Sequence, residues 1–379
     1  MRRLKVLTVV GTRPEVIKLS RVIAELESRM DHVLLHTGQN FDFELNEGLL
    51  DELGIRSPDH VLAVAESNPS IAIAKVIEGV DAVLERDPPD ALLVYGDTNS
   101  CFAALPAKRR QIPIFHMEAG NRCFDQRVPE EINRRIIDHL SDINLAQTEH
   151  ARRHLLAEGV RPETIFVTGS PMPEVVAHHR DGIERSDVLA RLGLERGGYV
   201  LVSAHREENV DAPERMASIL DALRALSAEF GRKVVVSTHP RTRRRLDALP
   251  PDLAAKRRGF DVEFLRPFGF RDWMRLQRDA FCVVSDSGTL TEEAALMGFP
   301  AVMLREAHER PEGMDAGVTV MSGLRAERVL QAVSLVVSQR EACAPEWGAE
   351  QPPAAVSRQV SRVLVSYVDY VRRVIWQRP

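Results

Sequence analysis

The chain has 379 residues, 44% hydrophobic and 28% charged, with a formal net charge of −5 and a sequence pI of about 6.2. That length accommodates two domains with full cores, and the mild acidity gives no overall electrostatic reason to bind nucleic acid or an anionic membrane. Mean hydropathy is −0.18, and no apolar run reaches the length of a membrane span.

The short apolar run after the basic start leads straight into Gly11-Thr12-Arg13-Pro14 rather than a small-residue cleavage site, so it reads as the first buried strand of a cytoplasmic protein. Continuous Val/Ile/Leu runs predict buried strands at 4–10, 32–36, 90–95, 112–117, 142–146 and 163–168. After a charged stretch the runs restart at 199–204, 233–238, 261–265, 281–285 and 300–304. Helical spacing fills 15–29, 69–86, 212–229 and 289–297. This is the βαβ rhythm of parallel sheets, met twice. Residues 172–197, charged and poor in apolar side chains, read as the junction. The expected fold is α/β, with two doubly wound domains, 1–171 and 172–353, facing each other across a cleft. A segment at about 354–376, apolar along one side, is expected to pack back onto the first domain.

Polar residues recur where those strands end. Gly11, Arg13 and Lys18 follow the first strand, Gly38-Gln39-Asn40 the second, and Gly96-Asp97-Thr98-Asn99 the third. Glu118 follows the fourth, and later strands lead to His205-Arg206-Glu207-Glu208, His239-Pro240-Arg241 and Asp286-Ser287-Gly288-Thr289. Any one of these is explained by a cap or a turn. Seven together mark the crevice outside the carboxyl ends of parallel strands, where open α/β sheets bind ligands. Glu118 follows Ile114, Phe115 and Met117 and needs a partner when buried, with Arg122 or Arg13 at hand. Pro129 is placed to start a helix with Glu130 and Glu131 in its first turn, where acidic residues suit the helix dipole whatever else they do.

The stretch DSGTLTEE, 286–293, joins a strand to a helix. Ser287, Gly288 and Thr289 offer N–H groups and hydroxyls to a phosphate, and Glu292 or Glu293 sits one turn on, in reach of ribose hydroxyls. An ordinary Ser/Thr cap explains the same residues. The chain has no GxGxxG after its first strand, no Walker A sequence and no HExxH or other metal-ligand spacing. Cys101, Cys123, Cys282 and Cys343 form no CxxC and read as reduced spectator thiols. The basic runs Arg241, Arg243, Arg244, Arg245 and Lys256, Arg257, Arg258 read as solvated helix faces.

Seven motifs in order carry a family resemblance: GTRPEVIK (11–18), GDTNS (96–100), EAGNR (118–122), PEEINRR (129–135), SAHREEN (203–209), DSGTLTEE (286–293) and ERPEG (309–313). Along nearly its whole length the chain resembles the non-hydrolysing UDP-N-acetylglucosamine 2-epimerases. The resemblance implies a GT-B-like pair of Rossmann-like domains with an interdomain active site, a homodimer, and inversion at C2 of a UDP-linked 2-acetamido sugar without added cofactor or metal. It places the catalytic carboxylates on Asp97, Glu118 and Glu130 and the catalytic-region histidine on His205. Arg13 and Lys18 take the first-loop positions. Arg206, His239, Ser287, Gly288, Thr289, Glu293 and Arg310 fall on the leaving-group and nucleotide side, and Trp273 aligns loosely with an aromatic near the uracil.

The C2 hydrogen of such a sugar is not next to a carbonyl, so direct deprotonation is closed. Elimination of UDP followed by re-addition needs acid/base groups at C2 and a donor-rich cradle for the diphosphate. Two departures bear on substrate and regulation. GQNFDFE (38–44) replaces the QHxxM-like stretch associated with allosteric substrate binding. The loop EAGNRCFDQRVPEE is short and charged, like that of enzymes converting a UDP-2-acetamido-2,6-dideoxy-L-talose to its L-fuco epimer. A GT-B glycosyltransferase, a UDP-sugar-binding regulator and a hydrolysing epimerase are the competing readings.

Overall fold

Residues 2–39, 43–66, 68–254, 256, 260–306, 311–340 and 355–378 are described by the computed structural model. They form two units, one running to His178 and taking in the C-terminal helix, the other starting at His179. The first unit holds strands β1 (Lys5–Val10), β2 (Asp31–His36), β3 (His60–Val61), β4 (Ala91–Tyr95), β5 (Ile114–Ala119), β6 (Ile143–Ala146) and β7 (Ile165–Val167). They pair in parallel in the order β3-β2-β1-β4-β5-β6-β7. The second unit holds β8 (Tyr199–Ser203), β9 (Lys233–Ser237), β10 (Val262–Leu265), β11 (Cys282–Ser285), β12 (Ala301–Met303) and β13 (Val320–Met321). Its order is β10-β9-β8-β11-β12-β13, again parallel. Strand order reverses between β1 and β4 and again between β8 and β11, the switch points at which doubly wound sheets open a ligand crevice.

The strands are continuously apolar because helices cover both faces of each sheet. In β8, Val200 and Val202 join a core with Leu220, Leu223 and Val333. Their neighbours Tyr199 and Leu201 turn to the opposite face and pack with Leu276 and Leu290, as the two-residue period of a strand requires. In the first unit, Leu7, Val9, Leu92 and Val94 pack against Val76 and Val80 of the helix Pro69–Arg86.

The helix Val356–Val374 belongs to the first unit and packs along the helix Arg13–Arg29. It buries Val360, Leu364, Val368 and Val371. Its first turn is pinned by Ser357 Oγ donating to Glu174 at 2.6 Å, and its last by Arg372 to Asp90 at 2.8 Å.

Two features differ from the sequence-based expectation. Residues 172–197 are largely helical, as Met172–Glu184 and Val188–Arg191, and bury Val175, Ile183 and Val188 among their charges. The edge strands β3 and β13 are two residues each, too short to show a periodic pattern. Among the described residues no helix is long and apolar enough to cross a membrane.

Candidate active site

In the first unit the crevice at the β1/β4 switch point is closed from below by one carboxylate. Glu15, in the first turn of the helix Arg13–Arg29, is buried. It accepts the N–H groups of Gly11 and Thr12 at 2.5 and 3.1 Å, the Ser100 hydroxyl at 3.0 Å, and the Thr98 hydroxyl. The loops after β1 and β4 are thereby tied together. Gly11 is required there, since a Cβ would lie 2.3 Å from Thr37 Oγ1 and 2.7 Å from Ser100 Oγ.

Burial pushes the Glu15 carboxyl from 4.5 up to about 7, against the pull of those donors. Between these values the folded protein holds a proton that the unfolded chain has released. Stability therefore falls as pH rises through that window and levels off above it, by about 3 kcal/mol in all. Glu15→Gln, neutral throughout, is expected to remove this fall in urea unfolding followed from pH 4 to 8. An unchanged slope would assign it to another group.

Above that floor stand two held carboxylates. Asp97, after β4, receives Arg134 Nε at 2.9 Å and Nη2 at 2.8 Å on its Oδ2, while Asn133 Nδ2 donates to its backbone carbonyl at 2.9 Å. Glu118 sits on a β-bulge, where the β5–β6 register shifts between Met117 and Ala119, with a left-handed φ of 67°. Its Oε2 accepts Lys18 Nζ at 2.8 Å, the Tyr95 hydroxyl at 2.6 Å and Gln147 Nε2 at 3.0 Å. Its Oε1 faces Gly96, where a Cβ would be 3.7 Å away. Of the two partners expected for Glu118, Arg122 or Arg13, Arg122 does not take that place. Arg122 is fully buried and pairs instead with Asp138 at 2.7 Å and Glu158 at 2.5 Å, because the bulge turns Glu118 towards Lys18.

The two glutamates opening the helix Pro129–Leu140 separate. Glu130 is half-buried. Glu131 is completely buried and accepts the Cys123 N–H at 3.0 Å, Arg134 at 3.3 Å and Arg135 at 3.1 Å. It fastens the 121–128 loop to the helix that carries Arg134. Cys123 donates to the same carboxylate at 3.4 Å, and burial raises its thiol pKa above the ordinary value, which fits a spectator. Cys101 and Cys282 are buried free thiols, and Cys343 lies outside the described residues.

In the second unit Asp286, fully buried after β11, plays the part Glu15 plays in the first. It accepts the N–H groups of His205 and Arg206 at 3.0 Å and Asn209 Nδ2 at 3.1 Å. His205 Nδ1 lies 3.2 Å from Asp286 Oδ1, so Nε2 is the ring nitrogen turned to other partners. His239 caps the helix Pro240–Asp247, and its ring centroid is 5.7 Å from that of His205.

The hydroxyls of Ser287 and Thr289 are 3.0 Å apart in the turn that opens the helix Leu290–Met297. Glu293, buried one turn on, accepts Gln277 Nε2 at 2.6 Å. Trp273, on the helix Phe270–Asp279, packs against the core of the sheet face that carries Tyr199. Arg241 and Arg245 pair with Glu207 and Asp211 at 2.6 and 3.2 Å, in keeping with a solvated face. Arg13 starts its helix half-buried, and Arg310 lies outside the described residues.

Sequence reasoning did not single out Tyr95 and Gln147, and it placed Asn133 and Arg134 only within the motif PEEINRR, without a role. Tyr95 ends an otherwise aliphatic strand, and Gln147 is the first residue after β6, a strand exit like the others.

Comparison with known proteins adds four findings. Residues 24–352 match the model of the family described as UDP-N-acetylglucosamine 2-epimerase. A solved UDP-N-acetylglucosamine 2-epimerase from Rickettsia bellii is 50% identical, with a TM-score of 0.91 over 100% of both chains. That of Methanocaldococcus jannaschii, solved in complex with UDP-GlcNAc and UDP, is 30% identical with a TM-score of 0.88 over 96% of this chain and 100% of the other. Among curated relatives, the UDP-2,3-diacetamido-2,3-dideoxy-D-glucuronate 2-epimerase of Pseudomonas aeruginosa is 32% identical over 86% of this chain and 91% of its own.

Proposed function

The chain belongs to the UDP-N-acetylglucosamine 2-epimerase family, and from that premise we propose that it interconverts UDP-N-acetylglucosamine and UDP-N-acetylmannosamine without hydrolysing them. The observation that carries the reading is the pair of carboxylates at the β4 and β5 strand ends, Asp97 and Glu118, each held by a buried cation, Arg134 and Lys18. A carboxylate takes the C2 proton. The C2–H electron pair becomes the C1–C2 double bond, the C1–O bond breaks and its pair leaves with UDP. UDP then re-adds at C1 while C2 regains a proton on its opposite face. No net oxidation occurs, and no cofactor enters.

Asp97, Glu118 and Glu130 serve as acid/base groups. Arg13, His205, Arg206, His239 and the Ser287-Gly288-Thr289 turn serve the developing diphosphate charge, while Lys18 serves the substrate through the Glu118 it holds. Glu293, Trp273 and Arg310 serve the nucleoside end. Chain division follows the same reading: residues 1–171 with about 354–376 form the sugar-handling domain and 172–353 the nucleotide-binding domain. The enzyme works as a cytoplasmic homodimer. Supporting this, Cys101, Cys123 and Cys282 are free thiols, and Ile132 and Ile136 lie exposed one turn apart on the helix Pro129–Leu140.

One observation favours a second substrate, a UDP-2-acetamido-2,6-dideoxy-L-hexose. Phe124, 66% exposed and held at φ 57°, projects from the short charged loop and supplies an apolar surface suited to a methyl in place of a C6 hydroxymethyl.

Proton NMR in D₂O, with no cofactor added, tests both. The expected result is loss of the C2 proton signal of UDP-N-acetylglucosamine and growth of the manno epimer. An inert UDP-N-acetylglucosamine with turnover of the 6-deoxy-L-talo sugar establishes the second substrate. Release of UDP with free sugar would sink the non-hydrolysing reading. Light scattering on the same sample tests the dimer.

A further inference from the structure

Three donors converge on a single oxygen of Glu118, and two of them come from the strands on either side of its own. Tyr95 is the last residue of β4, Gln147 the first after β6, and β5 lies between. Gln147 Nε2 donates to the Tyr95 hydroxyl at 2.7 Å and to Glu118 Oε2 at 3.0 Å, and the Tyr95 proton goes to the same Oε2 at 2.6 Å. Lys18 Nζ completes the set and lies 5.5 Å over the Tyr95 ring. Tyr95, Lys18 and Gln147 are all buried.

We propose that Tyr95 and Gln147 are positioning residues for the epimerisation, clamping Glu118 Oε2 so that Oε1 alone exchanges protons with substrate. The proposal rests on the role given to Glu118 above. A lysine on its own supplies a point charge about which a carboxylate can turn. A phenol and an amide anchored on two neighbouring strands supply direction. Their protons are already committed, so a proton arriving on Glu118 finds Oε2 facing donors and settles on Oε1, over Gly96. The left-handed bulge at Glu118 fits this assignment, because strain of that kind persists where surrounding contacts hold a side chain in a working orientation.

Tyr95→Phe and, separately, Gln147→Met remove donors while keeping side-chain volume. Each is expected to lower kcat about tenfold or more, leave KM within about twofold, and move the acidic limb of the kcat/KM pH profile up by about one unit. Thermal unfolding of each variant shows that it is folded under assay conditions. An acidic limb that stays at its wild-type position in both folded variants overturns the clamp, whatever happens to kcat. Glu118→Gln, assayed alongside, separates the two levels. If it retains wild-type turnover, the role of Glu118 falls; if it is inactive while the Tyr95→Phe limb is unmoved, the clamp alone falls.

Discussion

Asp97→Asn and Glu118→Gln are each expected to lower turnover by roughly a thousandfold, while UDP still binds with near wild-type affinity. Both changes preserve shape and remove a proton acceptor. At Asp97, the amide takes away the charge that Arg134, buried, meets at Oδ2 at 2.8 and 2.9 Å, while its 3.3 Å contact with Glu131 remains. At Glu118, the amide must turn its carbonyl towards Lys18, Tyr95 and Gln147, which leaves an N–H₂ group where Oε1 stood. Neither substitution touches the Ser287-Gly288-Thr289 turn, so calorimetric titration with UDP separates lost chemistry from lost binding. Wild-type turnover in either variant would remove that residue from the mechanism, and loss of UDP binding in either would make its role one of assembly.

Asp286→Ala acts through stability. The carboxylate is completely enclosed and accepts two backbone N–H groups and the Asn209 amide. Removing it strands those donors in the interior. A buried donor left unmatched costs about 1–3 kcal/mol, so the expected loss in urea unfolding is about 3 kcal/mol or more. His205 loses the group that orients its ring, and UDP affinity and turnover fall together. Ser287→Ala, which removes one oxygen in the adjoining turn, is the comparison. It gives up the 3.0 Å contact with Thr289 and is expected to cost less than about 1 kcal/mol. Equal losses in the two variants would deny Asp286 its special place.

Much of this was legible from residue order alone, and the exceptions have physical causes. Strands such as β1, β4, β8 and β11 announce themselves because a strand covered on both faces needs an unbroken apolar run, and turn residues must follow it. β3 and β13 contribute two paired residues each, too few for any period. The helix Met172–Glu184 hides because it buries a narrow stripe, Met172, Val175, His179 and Ile183, within a charged surface.

At the candidate site, residue types at the strand ends were readable but their partners were not. The choice of Lys18 over Arg122 for Glu118 is made by a one-residue bulge, and no pattern in HMEAGNR marks it. Glu130 and Glu131 are adjacent and chemically identical. Only the helix phase, set by Pro129, decides that Glu131 goes inward to fasten the loop. Tyr95 and Gln147 lie 52 positions apart, and it is sheet order that brings them together.

The helix Val356–Val374 has a consequence for how the protein is made. It completes the packing of the helix that carries Arg13, Glu15 and Lys18, yet it is synthesised after all of β8 to β13. The unit beginning at His179 is contiguous in the chain and can mature as it emerges. The unit synthesised first must wait for the helix Val356–Val374 before its oldest helix is covered. The helix Arg13–Arg29 therefore gains its covering only after the whole second unit has been made, so a chain cut off before Val356 would carry all of β8 to β13 while that helix stays uncovered.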